Sequence, residues 1–211
     1  MTWHLGVLGV ALVVLAGLDA PLALLALGLL TFNHGIALQP ELLPFAHGWS
    51  LTIIALLAIL QAFANLYFVP IRVRDGQYLA PLRMGNAHLH ARLQSLLRPL
   101  VAALIVAAVP TPLPVQPLAV ACFFGGTAVY WFSAWVREYV AIARGALVLM
   151  LLEMTKHLLL LLVVVLLLWS PLLALSALAV LAGLTAAWTG RLQRESPHVP
   201  SYGGASVADD A

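Results

Sequence analysis

The sequence predicts an all-α, polytopic membrane helix bundle with about six transmembrane helices. Hydrophobic residues make up 63% of the 211 positions and charged residues only 9%, whereas a soluble globular domain is about a quarter charged. The mean hydropathy is +1.02, and uncharged apolar stretches recur along the chain. This composition excludes a soluble enzyme, a nucleic-acid binder with an extended basic face, and a secreted scaffold held together by disulfides.

Six stretches are apolar enough to cross a bilayer, which requires about 20 consecutive residues in a helix. The predicted spans are residues 3–32, 48–68, 89–109, 117–140, 146–169 and 171–188. The first is too long for one straight crossing, and Asp19 and Pro21 lie at its middle. Because proline removes a helical hydrogen bond, we expect a kink or break there. The third span is short unless the helix before it continues into the membrane.

The distribution of arginine predicts the orientation, because cytoplasmic loops of membrane proteins are rich in basic residues. Arginines follow the second span, flank the link between the fourth and fifth, and follow the sixth. The other three links contain no lysine or arginine. With six spans, both termini and every basic loop would be cytoplasmic. The sequence thus predicts a multi-pass protein of the bacterial cytoplasmic (inner) membrane, surrounded by the lipid bilayer.

The predicted transmembrane domain covers residues 1–189, with a first half at 1–109 and a second half at 117–189. Leucines at helical spacing predict an interfacial cytoplasmic helix near 78–98. The tail at 190–211 is rich in proline, glycine and serine, and is expected to be disordered. Short similar segments in the second and fifth spans, and before the third and sixth, suggest an inverted 3+3 repeat, a feature of many transporters.

Ionisable side chains within apolar spans are costly unless they are paired or hydrated, so each is a candidate for function. Glu153, Lys156 and His157 share one face of the fifth span, where Glu153 can pair with either neighbour. They predict a proton- or ion-coupled site, or alternatively a buried pair that only fixes helix packing. The predicted substrate or ion site consists of Asp19, Gln61, Asn65, Glu153, Lys156 and His157.

Three members of this set have open alternatives. Asp19 binds a cation or proton, pairs with Lys156, or caps the second half of the broken helix. Gln61 and Asn65 share one face of the second span, and either contact a substrate or join helices through hydrogen bonds.

Secondary candidates are Arg98, Arg137 and Glu138, which we expect at the membrane interface. Alternatively, Arg98 beside a helix N-terminus would suit an anion. His88 and His90 point in different directions on a helix and lack a second ligand pair, so no metal site is predicted. No cofactor, catalytic residue or nucleic-acid partner is predicted either.

Several short segments occur in a recognisable order: Gly-Leu-Asp-Ala-Pro at 17–21, an amide-containing stretch late in the second span, Arg-Pro-Leu-Val-Ala at 98–102, Gly-Gly at 125–126 and Leu-Glu at 152–153. In these segments the chain resembles the bacterial membrane proteins grouped as domain of unknown function four-one-two-six, over about residues 5–189. The chain has Asp19 where that family usually has a basic residue, and Gln61 where it usually has Glu. The resemblance implies a multi-pass membrane protein and no established reaction.

The function predicted from these features is a small inner-membrane transporter, permease or channel, with a polar site at the membrane midplane for an unknown small solute or ion. The alternative is a non-catalytic membrane scaffold or assembly subunit. A lipid-modifying membrane enzyme ranks last, because no nucleophile or metal set is identifiable. A homo-oligomer or a partner membrane subunit is left open.

Overall fold

The computed structural model describes residues 2–33, 36–67, 81–109, 114–144 and 146–195. Within these ranges the chain is helical, with one 3₁₀ helix at Pro40–Ala46. The α-helices are α1 (Thr2–Leu18), α2 (Ala20–Phe32), α3 (Gly48–Tyr67), α4 (Pro81–Ala108), α5 (Val115–Arg144), α6 (Ala146–Trp169) and α7 (Pro171–Glu195). Among the described residues, five helices, α3 to α7, are long and apolar enough to cross a membrane. The predicted helical membrane bundle is therefore confirmed.

The predicted break at the middle of the first apolar stretch is also confirmed. Asp19 has an extended backbone between α1 and α2, and its carboxylate accepts a hydrogen bond from the Leu22 backbone N–H at 3.1 Å. Pro21 lies in the first turn of α2, where its missing N–H costs nothing. Asp19 is thus the N-terminal cap of α2, one of the roles expected for it.

The direction of α1 follows from its contacts with α5. The space beside Gly125 is closed by Val13, and the space beside Gly17 is closed by Gly126 and Val129. α1 and α5 are therefore parallel, and both helices begin at the same end of the bundle.

The α2 helix returns to that same end. Gly28 packs against Leu51 in the first turn of α3. The loop after α2 is joined to the end of α4 by a backbone hydrogen bond from Gln39 to Ala108, 3.0 Å long. With 17 and 13 residues, α1 and α2 measure about 25 and 20 Å, less than the ~30 Å hydrocarbon core. They form a returning pair whose tip, at Asp19, lies inside the bundle.

The other end of the bundle, which we call the basic end, carries Arg144, Arg191 and Arg194. There α3, α5 and α7 end and α4 and α6 begin, and Leu192 packs with Leu149. Within the described residues, α1 begins and α7 ends at opposite ends of the bundle. The predicted cytoplasmic location of both termini, which assumes six full crossings, stays a prediction.

Two further predictions concern the domain organisation, namely the inverted repeat and the start of the C-terminal tail. The inverted 3+3 repeat pairs the first apolar unit with α5, but the former is a returning pair and the latter one helix of 30 residues, so the repeat is not confirmed. The predicted tail begins at residue 190, yet α7 continues to Glu195. The remainder of the tail lies outside the described residues.

The expected interfacial helix and the third span form one helix, α4, which runs through Pro99 without interruption. The leucines that predicted contact with the membrane surface, Leu89, Leu93, Leu96 and Leu97, are exposed on the outside of the bundle. Similar apolar side chains are exposed along α3, α5, α6 and α7. Because a water-soluble monomer rarely exposes apolar surface on this scale, this face is suited to lipid.

Close packing at Gly126 gives a first testable prediction. A methyl group added at Gly126 would lie 2.8 Å from Ala102 of α4. A methyl group added at Gly125 would contact Val13 at 3.6 Å. Gly125 also lines an apolar groove of about 670 Å³ between α1, α4 and α5. Gly126→Ala should lower the free energy of unfolding by about 1–3 kcal/mol, as overpacking generally does. Gly125→Ala is the matched control and should be nearly neutral. Equal unfolding midpoints in detergent for both variants would contradict this packing.

Candidate functional site

Polar side chains from five segments meet around the tip of the returning pair. We call this group the central polar cluster: Asp19, Gln61, Asn65, His90, Gln94, Arg98, Arg137, Glu153, Lys156 and His157. It lies between the Asp19 tip, α3, α4, α5 and α6. All six residues of the predicted substrate or ion site belong to it.

Glu153 is the carboxylate that holds the cations of α5 and α6. It is 1% exposed, its Oε1 lies 3.1 Å from Arg137 Nε, and its Oε2 accepts a hydrogen bond from Lys156 Nζ. The predicted pairing of Glu153 with Lys156 one turn away is therefore present. Arg137, expected at the interface, instead contributes to the cluster. The side chain of Glu138, the third secondary candidate, lies outside the described residues.

Arg98 lies at the tip of the returning pair rather than at the interface. Its side chain is 1% exposed, and Nη1 donates to the backbone oxygen of Gly17, in the last turn of α1, at 3.3 Å. A cation stabilises the C-terminal end of a helix, where carbonyl groups lack partners. The guanidinium also lies over the Tyr130 ring, 5.2 Å from its centroid. Arg98 therefore caps α1 from a neighbouring helix, as Asp19 caps α2.

A chain of hydrogen bonds with a fixed direction starts at Arg98. Arg98 Nε donates to Gln94 Oε1 at 2.9 Å, and Gln94 Nε2 donates to Gln61 Oε1 at 3.3 Å. Because a guanidinium has donors only, the orientation of both amides follows from it. The last donor of the chain, Gln61 Nε2, is buried and has no partner in the part of the protein that the structure describes, and the same is true of Arg98 Nη2.

A second chain joins α4, α3 and α6. His90 Nε2 donates to Asn65 Oδ1 at 3.0 Å, and Asn65 Nδ2 donates to His157 Nε2 at 3.4 Å. The other ring nitrogen of His157, Nδ1, lies 2.7 Å from the backbone oxygen of Glu153. Since a carbonyl oxygen only accepts, Nδ1 carries a proton.

His157 also approaches the Asp19 cap of α2. Its Nε2 lies 3.3 Å from Asp19 Oδ2. Among the described contacts, Asp19 therefore lies beside His157 and not beside Lys156, the partner that one alternative named.

The cluster has more positive than negative groups. The bases are Arg98, Arg137 and Lys156, and the acids are Asp19 and Glu153. Three positive and two negative charges leave an excess of one when both histidines are neutral. Within a membrane such an imbalance is costly.

The residues that sequence analysis missed are His90 and Gln94. With Arg98 they occur at four-residue spacing on α4, and therefore on one helix face. This polar stripe opposes the leucine stripe and is visible in the sequence. Within the described ranges, no group of three or more His, Cys, Asp or Glu side chains is placed to hold a metal ion.

The chain matches no protein-family model, no curated protein and no solved structure. The resemblance to the four-one-two-six family stays a prediction.

Proposed function

We propose that the protein is a small transporter, permease or channel of the bacterial cytoplasmic membrane, with its solute or ion site at the central polar cluster. The observation that carries this proposal is the returning pair, whose tip is capped by Asp19 and Arg98 inside the bundle. Broken helices that end at membrane depth are characteristic of transporter sites, because their free ends and flanking polar groups face the solute. Irregular backbone at that depth is tolerated only inside protein or beside a water-filled cavity.

The proposed orientation has the basic end in the cytoplasm, in agreement with the positive-inside rule. The end of α7 is then cytoplasmic. The start of α1 and the 3₁₀ helix at Pro40–Ala46 lie on the opposite side. Both halves of the returning pair enter from that side, and the cluster is reached from the cytoplasm between α3, α4 and α6.

A second candidate function is a membrane scaffold whose polar residues only join helices. The observation in its favour is that both oxygens of Glu153 are already held by cations. Against it stand Arg98 Nη2 and Gln61 Nε2, which are buried donors without acceptors. A purely structural network is expected to satisfy its own donors.

Water access to the cluster tests the transport proposal. In a Cys122→Ser background, Gln61→Cys faces the cluster, while Leu60→Cys is the matched control on the lipid-facing side of the same helix, with a native side chain that is 63% exposed. A charged, membrane-impermeant thiol reagent needs a hydrated thiolate. It should modify Gln61→Cys in sealed vesicles and leave Leu60→Cys unmodified.

Modification of Gln61→Cys from both sides of the vesicle membrane indicates alternating access or an open pathway. Modification from one side indicates a site open to that side. Protection from both sides, in protein that remains folded, indicates a dry cluster and refutes the transport proposal in favour of the scaffold.

A further inference from the structure

Two buried N–H donors in the cluster lack an acceptor among the described residues, and they belong to one connected chain. They are Arg98 Nη2 and Gln61 Nε2, on side chains that are 1% and 9% exposed. The direction of the chain from Arg98 through Gln94 to Gln61 is fixed, so turning an amide only moves the missing partner elsewhere. An unpaired buried donor costs about 1–3 kcal/mol. The chain therefore lacks an acceptor.

Among the described side chains, the charges of the same cluster do not balance. Three bases and two acids leave one positive charge in excess when the histidines are counted as neutral. Lys156 is counted as a cation because its amino group and the Glu153 carboxylate form an ion pair. A bound water molecule would accept hydrogen bonds but leave the charge uncompensated. A bound anion accepts the hydrogen bonds and compensates the charge.

From the unpaired donors and the excess of positive charge, we infer that the central polar cluster binds a small anion beside Arg98 and Gln61. This inference names the substrate class of the proposed transporter. That the anion is transported rests on the proposed function, whereas its binding does not. The Arg98 guanidinium and the Gln61 amide supply the hydrogen bonds.

The experiment measures thermal unfolding of the purified protein in detergent. Sodium gluconate, with its bulky anion, is replaced stepwise by sodium formate, nitrate or chloride at constant ionic strength and pH. A ligand that binds only the folded state raises the unfolding temperature with its concentration. We expect a saturating rise with at least one of these anions, and no rise when sodium is replaced by potassium.

Variants at Gln61 make the test specific. Gln61→Met removes the donor without changing charge and should weaken anion binding about tenfold or more, the equivalent of one hydrogen bond to a charged group. Gln61→Glu replaces the unpaired donor with an acceptor and adds a negative charge, so it should be more stable than the wild type in gluconate and should lose the anion response. Thr52→Val is the control on the same helix, because its hydroxyl donates only to Gly48 of its own helix.

A wild type without any anion response, or one whose response persists in both Gln61 variants, overturns the inference. A response that is lost in Gln61→Met and retained in Thr52→Val supports it. Thiol modification of Gln61→Cys then separates the two proposals. If the cluster is hydrated but shows no anion response, the transport proposal stands and the anion inference is refuted. If the cluster is dry and shows the response, the anion is structural and the transport proposal is refuted.

Discussion

Replacing Glu153 by glutamine is expected to lower the free energy of unfolding by about 3–5 kcal/mol, because two cations inside the bundle lose their counter-charge. Arg137 and Lys156 approach this carboxylate from α5 and α6, and their side chains are 22% and 17% exposed. Partial exposure allows some hydration, which places the expected loss near the lower end of that range. Chemical unfolding in detergent, followed by helical circular dichroism, measures it.

The matched variant Lys156→Met should cost less, since Glu153 keeps Arg137 and the excess of positive charge falls. Combining Glu153→Gln with Lys156→Met should recover part of the stability lost by Glu153→Gln alone, as expected for directly coupled residues. Strict additivity of the two effects, or a Glu153→Gln protein as stable as the wild type, would contradict the ion pairs described here.

The same variant separates the two functions proposed. In a scaffold, Glu153→Gln changes stability only. In a transporter, solute flux into vesicles should fall even at temperatures well below unfolding, because the charge balance of the site has changed.

Loss of Arg98 should have an effect of similar size. Arg98→Met leaves the Gly17 carbonyl and Gln94 Oε1 without their donor, and each buried orphan costs about 1–3 kcal/mol. Removing one excess positive charge offsets part of this, so we expect a net loss of about 3 kcal/mol in the free energy of unfolding. Arg98→Lys should recover only part of it, because a single ammonium group lacks the fork that reaches both acceptors.

Arg92→Met serves as the control for Arg98→Met. Arg92 lies on the same helix with an exposed side chain, and its substitution should stay within about 0.5 kcal/mol of the wild type. Equal stability of the Arg98→Met and Arg92→Met proteins would show that Arg98 does not cap α1.

Much of the fold was predictable because membrane helices are specified by local composition. The apolar stretches and the break at Asp19 follow from residue type and from Pro21 alone. The return of α2 was not predictable in this way. Thr2–Leu18 and Ala20–Phe32 are apolar all round, so their sequence is equally compatible with a straight crossing and a reversal. Only the packing of Gly17 and Gly28 against α5 and α3 distinguishes the two.

The candidate site was predictable where partners lie close in sequence, as with Glu153 and Lys156. It was not predictable where a partner is a backbone atom or lies on a distant helix. Arg98 was assigned to the interface because its acceptor, the Gly17 carbonyl, carries no side-chain signal. Arg137 was assigned there by counting residues from the start of its span, whereas Glu153, across the α5–α6 turn, holds it in the cluster.

The returning pair also has a consequence for biogenesis. α1 and α2 are synthesised first, yet the guanidinium that caps α1 comes from a residue 81 positions later in the chain. A nascent polypeptide that ends before α4 lacks this cap, and only Asp19 and Pro21 then oppose insertion of its first apolar stretch as a single uninterrupted span. The reversal at Asp19 is thus completed after the later helices have left the ribosome. Truncated chains are expected to expose their N-terminus on the opposite side of the membrane from the full-length protein.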